Sequence, residues 1–178
     1  KHFCAGADLK ERSKMNDTEA LNVIHKINDC FDIIESLDCV TIAAINGAAL
    51  GGGAELGLCC DFRIGTSNTI ISFPETSLGI IPGAGGTYRL PRLIGLSKAK
   101  YWILSAQKFT GEEAFEDGYL DFLATDDELF EAAIDLAEEI GGNSYTSIVQ
   151  AKKAINCSNI SYRVDELDFY KRTLKSNA

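Results

Sequence analysis

The chain has 178 residues, 46% hydrophobic and 24% charged, which is enough for one globular domain with its own core. Its net charge of −9 argues against a nucleic-acid partner, because phosphate contact needs clustered Lys and Arg. No apolar run reaches the roughly 18 residues of a spanning helix, so no membrane partner is expected.

The six cysteines, Cys4, Cys30, Cys39, Cys59, Cys60 and Cys157, form no C-x-x-C pair. They read as small buried hydrophobes of a reducing compartment rather than as a disulfide framework. His2 and His25 are the only histidines, and neither has a partner at ligand spacing, so no metal site is expected. The opening, KHFCAGADLKE, has no signal-peptide layout and reads as a strand end, as though the chain begins within a domain.

Residues 1–5 end a strand that Gly6 breaks. After a glycine, the Ala7 N–H can face a ligand closely. Residues 16–36 form a predicted helix, opened by a capping-box pair, Asn16 and Glu19. Leu21, Ile24, Ile27, Phe31 and Ile34 recur at spacings of three and four and give one apolar face. Lys26, Asn28 and Asp32 fall mainly elsewhere, and the helix reads as packing without a chemical role. The run CVTIAAI over residues 39–45 suggests a buried strand. A glycine turn over 47–53 and a helix over 54–60 follow, a layout that points backbone N–H groups at an anion.

Residues 61–65 and 70–73 read as short strands. Pro82 leads into a second glycine turn over 83–86. A helix then takes over, with Thr87 near its start and Tyr88, Leu90, Leu93 and Ile94 as apolar positions. A further helix is expected over 97–106, capped by Ser97 and carrying Trp102. Thr110 and Glu113 form another capping box, opening a short helix to residue 117. A strand over 119–124 precedes an amphipathic helix over 126–140, and two more helices are expected over 144–156 and 164–174. Strands alternating with helices, then a helical tail, indicate α/β architecture.

Two carboxylates stand out, Glu55 and Glu75, each embedded in apolar sequence beside a glycine-dense turn. A buried carboxylate is costly unless it is paired, hydrogen-bonded or protonated. Two facing one cavity can divide the work of a reaction, one activating water and the other giving a proton. The bland alternatives are a helix-start charge stabilised by the helix dipole for Glu55 and a solvent-exposed strand end for Glu75. G-x-x-x-x-G-K-[ST] and G-x-S-x-G are absent, and neither glycine turn completes a dinucleotide-binding fingerprint.

Three segments in order, FCAGADLK (3–10), AAINGAALGGGAELGLCCD (43–61) and PETSLGIIPGAGGTYRL (74–90), together resemble the crotonase superfamily of enoyl-CoA hydratases and isomerases. The opening is most similar to the methylglutaconyl-CoA hydratase-like branch. The resemblance implies an α/β spiral of repeated ββα units over residues 1–140, with its N-terminal part absent from this chain, and a helical trimerisation region over 141–178. It implies reversible addition of water to a short or branched 2-enoyl-CoA, 3-methylglutaconyl-CoA among the candidates. No metal or separate cofactor is implied, since coenzyme A is part of the substrate.

By the same resemblance, the N–H groups of Ala7 and Gly52 form an oxyanion hole for the thioester carbonyl. Glu55 deprotonates the attacking water, Glu75 protonates the α-carbon, and the Gly83 backbone helps hold the water. Ala5, Asp8 and Leu9 border the adenine, and Lys10 lies near the coenzyme A phosphates. The implied assembly is a homotrimer or a dimer of trimers, in the mitochondrial matrix or the bacterial cytoplasm. Acyl-chain selection is expected from the helix around Trp102 and from segments outside this chain. An enoyl-CoA isomerase, or a non-catalytic acyl-CoA binder, is the alternative reading.

Overall fold

The computed structural model describes residues 2–157. The helix expected over 164–174 lies outside them. The chain opens with β1 (His2–Cys4), α1 (Leu9–Arg12) and α2 (Asp17–Glu35). Two strand pairs follow, each leading to a helix. The first is β2 (Ile42–Ala44), β3 (Ala48–Leu50) and α3 (Gly52–Cys59). The second is β4 (Phe62–Thr66) and β5 (Ile70–Ser72), then a 3₁₀ turn (Pro74–Leu78), α4 (Gly86–Ile94) and α5 (Leu96–Ser105). After these come β6 (Lys108–Thr110), α6 (Gly111–Glu116), β7 (Phe122–Ala124), α7 (Leu129–Gly141) and α8 (Tyr145–Cys157).

The two strands of each pair join different sheets. β2, β4 and β7 form a parallel three-stranded sheet, with Ala43 opposite Arg63 and Gly65 opposite Leu123. β1, β3 and β5 run parallel in the other sheet, and β6 closes its edge antiparallel to β5. A strand in one sheet, a strand in the other and then a helix make one turn of a spiral, and the next turn stacks in register. This is the expected ββα architecture.

Local signals hold where the sequence carries them. Asn16 with Glu19 and Thr110 with Glu113 both form reciprocal capping boxes. Elsewhere the structure departs from expectation. The segment 47–53 is not one turn: Gly47 turns the chain, three residues form β3, and Gly51 turns it again. β3 exists because β1 and β5 supply its ladder on both sides. The three-residue β6 depends in the same way on β5. Ser97 is not a cap; α5 starts at Leu96 after Gly95, whose φ is 82°. Tyr119 and Leu120 precede β7 as buried core residues rather than strand.

Ile45, Ala54, Ile71, Phe73, Leu90, Trp102 and Tyr119 form the heart of the core. Trp102 stacks on Phe109 with ring centroids 4.0 Å apart, and its indole N–H donates to Asp117 Oδ2 at 2.7 Å. Its exposure is 0%, so Trp102 itself is core and not a ligand-facing wall. The Tyr119 hydroxyl donates to the Ala54 carbonyl at 2.8 Å and braces α3 from behind. Burial pushes this phenol well above its ordinary range.

On α8, the buried Lys152 ammonium donates to Asp61 Oδ2 at 2.6 Å and to the Cys39 carbonyl at 2.9 Å, docking the helix beside β2 and β4. The cysteines correct the sequence reading. All five whose side chains are described are free thiols, but Cys30 and Cys39 are exposed and only Cys59 is buried. Among the described residues, no helix is long and apolar enough to cross a membrane.

Truncating the largest buried side chain tests this core. Trp102→Ala leaves a cavity against Phe73, Phe109 and Tyr119. It is expected to cost about 3–5 kcal/mol, read as a lowered urea midpoint at unchanged slope.

Candidate active site

The site is built around the first turn of α3. Gly51 precedes this helix with φ 52° and ψ −121°, a conformation that only glycine adopts readily. A Cβ on Gly51 would stand 2.7 Å from Glu75 Oε1, so the Glu75 carboxylate lies directly against the glycine at the helix start. Glu75 gets there through Pro74, which begins the 3₁₀ turn after β5. At 8% exposure, Glu75 is not a solvent-facing strand end.

Backbone from β1 closes the other side. A Cβ on Gly6, whose φ is 80°, would lie 2.6 Å from the Leu50 oxygen and 3.3 Å from the Gly52 nitrogen. A Cβ on Gly53 would overlap the Cys4 carbonyl at 2.0 Å. The segment carrying Ala7 is therefore seated beside the start of α3, where the first N–H groups of a helix have no intrahelical acceptor. The structure thus brings the segment of Ala7 together with Gly52 and Glu75.

Glu55 is the fourth residue of α3 and is 3% exposed. Its Oε1 accepts two backbone N–H bonds, from Ala84 at 2.8 Å and Gly86 at 2.9 Å. Two donors on one oxygen suit a carboxylate, and charge-assisted bonds of this kind are the stronger ones. Glu55 is therefore more than a charge at a helix start: it joins α3 to the second glycine turn. Gly83 lies buried in that turn, and its carbonyl accepts from Asn28 Nδ2 at 2.6 Å.

Ala5, Asp8 and Lys10 lie on the exposed side, and Leu9 begins α1. The Asp8 carboxylate accepts from the Lys10 N–H at 2.8 Å, which caps that short helix. Burial pushes the Cys59 thiol up, and its Sγ lies 3.1 Å from the Glu55 carbonyl as donor, so Cys59 is no ready nucleophile. Among the described residues, no cluster of His, Cys, Asp and Glu suits a metal ion.

Two residues escaped the sequence reading. Asn28 is 3% exposed and belongs to the apolar face of α2, being four residues after Ile24 and three before Phe31. A polar residue inside an apolar stripe was the available signal. Arg89 is 4% exposed. Its Nη1 donates to the Ala84 carbonyl at 3.0 Å, and Nη2 pairs with Glu35 at 2.7 Å and Asp32 at 3.2 Å. Burial opposes the guanidinium charge, but its neighbours, Cys59 and the hydrogen-bonded Glu35 carboxylate foremost, together outweigh it and hold the group above its ordinary range. Helix α2 is thus not packing alone, because it anchors the second glycine turn.

This fold and pair of buried glutamates define a crotonase-type protein. The model of the enoyl-CoA hydratase/isomerase family matches residues 1–177, and the chain belongs to that family. It is 46% identical over 158 residues to the mitochondrial methylglutaconyl-CoA hydratase of Mus musculus, covering 86% of this chain and 50% of that protein. It is 41% identical over 156 residues to the short-chain-enoyl-CoA hydratase of Clostridium acetobutylicum, covering 88% and 60%. The crystal structure of an enoyl-CoA hydratase from Bacillus anthracis superimposes with a TM-score of 0.85 at 43% identity, covering 97% of this chain and 67% of that one. The chain spans between about a third and three-fifths of the length of the curated relatives it matches.

Gly51→Ala tests the first turn. The backbone strain is expected to cost about 1–3 kcal/mol, seen as a lowered melting temperature. A crystal structure of the variant should show the Glu75 carboxylate displaced.

Proposed function

We propose that the protein is an enoyl-CoA hydratase that adds water reversibly across the double bond of a short or branched 2-enoyl-CoA. The observation that carries this is the placement of two buried carboxylates at one helix start, Glu55 within α3 and Glu75 against its Gly51. The sizes are supported by the names of relatives, a short-chain-enoyl-CoA hydratase and a methylglutaconyl-CoA hydratase. 3-Methylglutaconyl-CoA is therefore a substrate to try first.

The residues would divide the work as follows. The thioester carbonyl oxygen sits between the N–H groups of Ala7 and Gly52. As water attacks the β-carbon, negative charge gathers on that oxygen, and fixed N–H donors stabilise it at no reorganisation cost. Glu55 accepts the proton of the attacking water, and Gly83 backbone helps to place that water. Glu75 delivers a proton to the α-carbon as the enolate collapses. The β-carbon gains hydroxyl and the α-carbon gains hydrogen, and one proton moves from Glu55 to Glu75 through solvent to reset the site. Coenzyme A lies along the exposed residues Ala5, Asp8 and Lys10 and along Leu9, with the Lys10 ammonium facing the phosphates.

A homotrimer or dimer of trimers fits the exposed apolar side chains of β7 and α7, Phe122, Leu123, Phe130 and Ile134. Isomerisation shifts a proton between carbons and needs one carboxylate. Glu75 alone can serve it, so the two variants separate the reactions.

Full-length protein with crotonyl-CoA and with 3-methylglutaconyl-CoA should remove the enoyl-thioester absorbance. Glu75→Gln should lower hydration and isomerisation alike, by roughly 10²–10⁴. Glu55→Gln should lower hydration by a similar factor and spare isomerisation. Turnover indifferent to both substitutions would refute these roles.

A further inference from the structure

We infer that Asn28 and Arg89 are positioning residues for Glu55: a clamp made of Asn28 on α2 and Arg89 on α4, itself held by acids of α2, orients the peptide groups that hold this carboxylate. The inference rests on the hydratase reading only for its consequence in catalysis.

Three consecutive peptide groups of the second glycine turn are pinned. The group joining Gly83 and Ala84 donates its N–H to Glu55 Oε1 at 2.8 Å, while its carbonyl accepts from Asn28 Nδ2 at 2.6 Å. Bonds at both ends of one peptide polarise each other and fix the plane. The next carbonyl, of Ala84, accepts from Arg89 Nη1 at 3.0 Å. The third group carries the Gly86 N–H that completes the pair on Glu55 at 2.9 Å, and its carbonyl, on Gly85, accepts the backbone N–H of Arg89 at 2.8 Å, a helix bond independent of the guanidinium. Arg89 is held in turn by Glu35 and Asp32, both on α2. Its fork serves three acceptors at once, which a lysine cannot do. Gly85 also leaves the room this requires, since a Cβ there would fall 1.8 Å from Arg89 Nη1.

The clamped N–H groups of Ala84 and Gly86 bond Glu55. Glu75 is placed by the 3₁₀ turn and Gly51, on the other side of the α3 start. Loosening the clamp should therefore move the water-activating carboxylate and leave the proton donor in place. A merely structural role would harm both functions together.

The test compares two reactions of full-length protein carrying Asn28→Leu or Arg89→Lys, with melting curves confirming that each folds. Hydration of crotonyl-CoA requires both glutamates. Exchange of the α-protons of butyryl-CoA into D₂O, followed by NMR, requires the oxyanion hole and Glu75 alone. Each variant is expected to lose hydration kcat by about 10- to 100-fold with little change in KM, and to keep exchange within about twofold. On a Glu55→Gln background the same substitutions should cause no further loss of hydration. Equal loss of both reactions, or loss of neither, overturns the proposal. If the unaltered protein neither hydrates nor exchanges, the hydratase reading fails, and crystal structures of the variants decide the clamp. Glu55 displaced from the Ala84 and Gly86 N–H groups supports it, and unchanged contacts overturn it.

Discussion

Backbone segments meet at the start of α3 more closely than side chains would allow, and the rest of the site follows from that approach. Positions 6, 51 and 53 must lack a Cβ, because the Leu50 carbonyl, the Glu75 carboxylate and the Cys4 carbonyl occupy the space it would fill. The result is a helix start reached by the end of β1 on one side and by Glu75 on the other. Free N–H groups and the partial positive end of the helix then face the same small volume. An apolar side chain at any of these positions would separate the groups that the chemistry brings together.

The spiral makes this meeting possible. Because β1, β3 and β5 are successive neighbours in one sheet, the loops leaving their ends fall side by side. Those loops carry Gly6, Gly51 and Glu75 respectively. The price is a carboxylate deep in an apolar interior at position 55, where the peptide N–H groups of Ala84 and Gly86 donate to it. Backbone N–H groups hold the carboxylate in place and, in the reaction we propose, leave it able to accept a proton. The positive charge of Arg89 is kept one step removed, bonded to the Ala84 carbonyl and balanced by acids of α2.

What was legible in the sequence was local or chemically conspicuous. The capping boxes at Asn16 and Thr110 need only residues three positions apart, and both form. Glu55 and Glu75 announce themselves as acids in apolar surroundings between glycine turns. The three-residue strands β3 and β6 were not legible, because nothing within them favours a strand until neighbours supply the ladder. Asn28 and Arg89 were hidden for a related reason. Asn28 meets Gly83 across 55 residues and Arg89 meets Glu35 across 54, so their partners lie far beyond any local pattern. The cysteines erred in the opposite direction, since a general tendency to burial said nothing about Cys30 on the outer face of α2 or Cys39 in a loop.

In the reaction we propose, the start of α3 holds the thioester and Glu75 faces its α-carbon. The most direct measurement is a crystal structure of the full-length protein with butyryl-CoA, a saturated substrate analogue that cannot be hydrated. The proposed reaction requires the thioester oxygen within hydrogen-bond distance of the Ala7 and Gly52 nitrogens, the α-carbon facing Glu75, and the β-carbon facing Glu55. A thioester bound elsewhere, or a carbonyl turned away from both nitrogens, would contradict it.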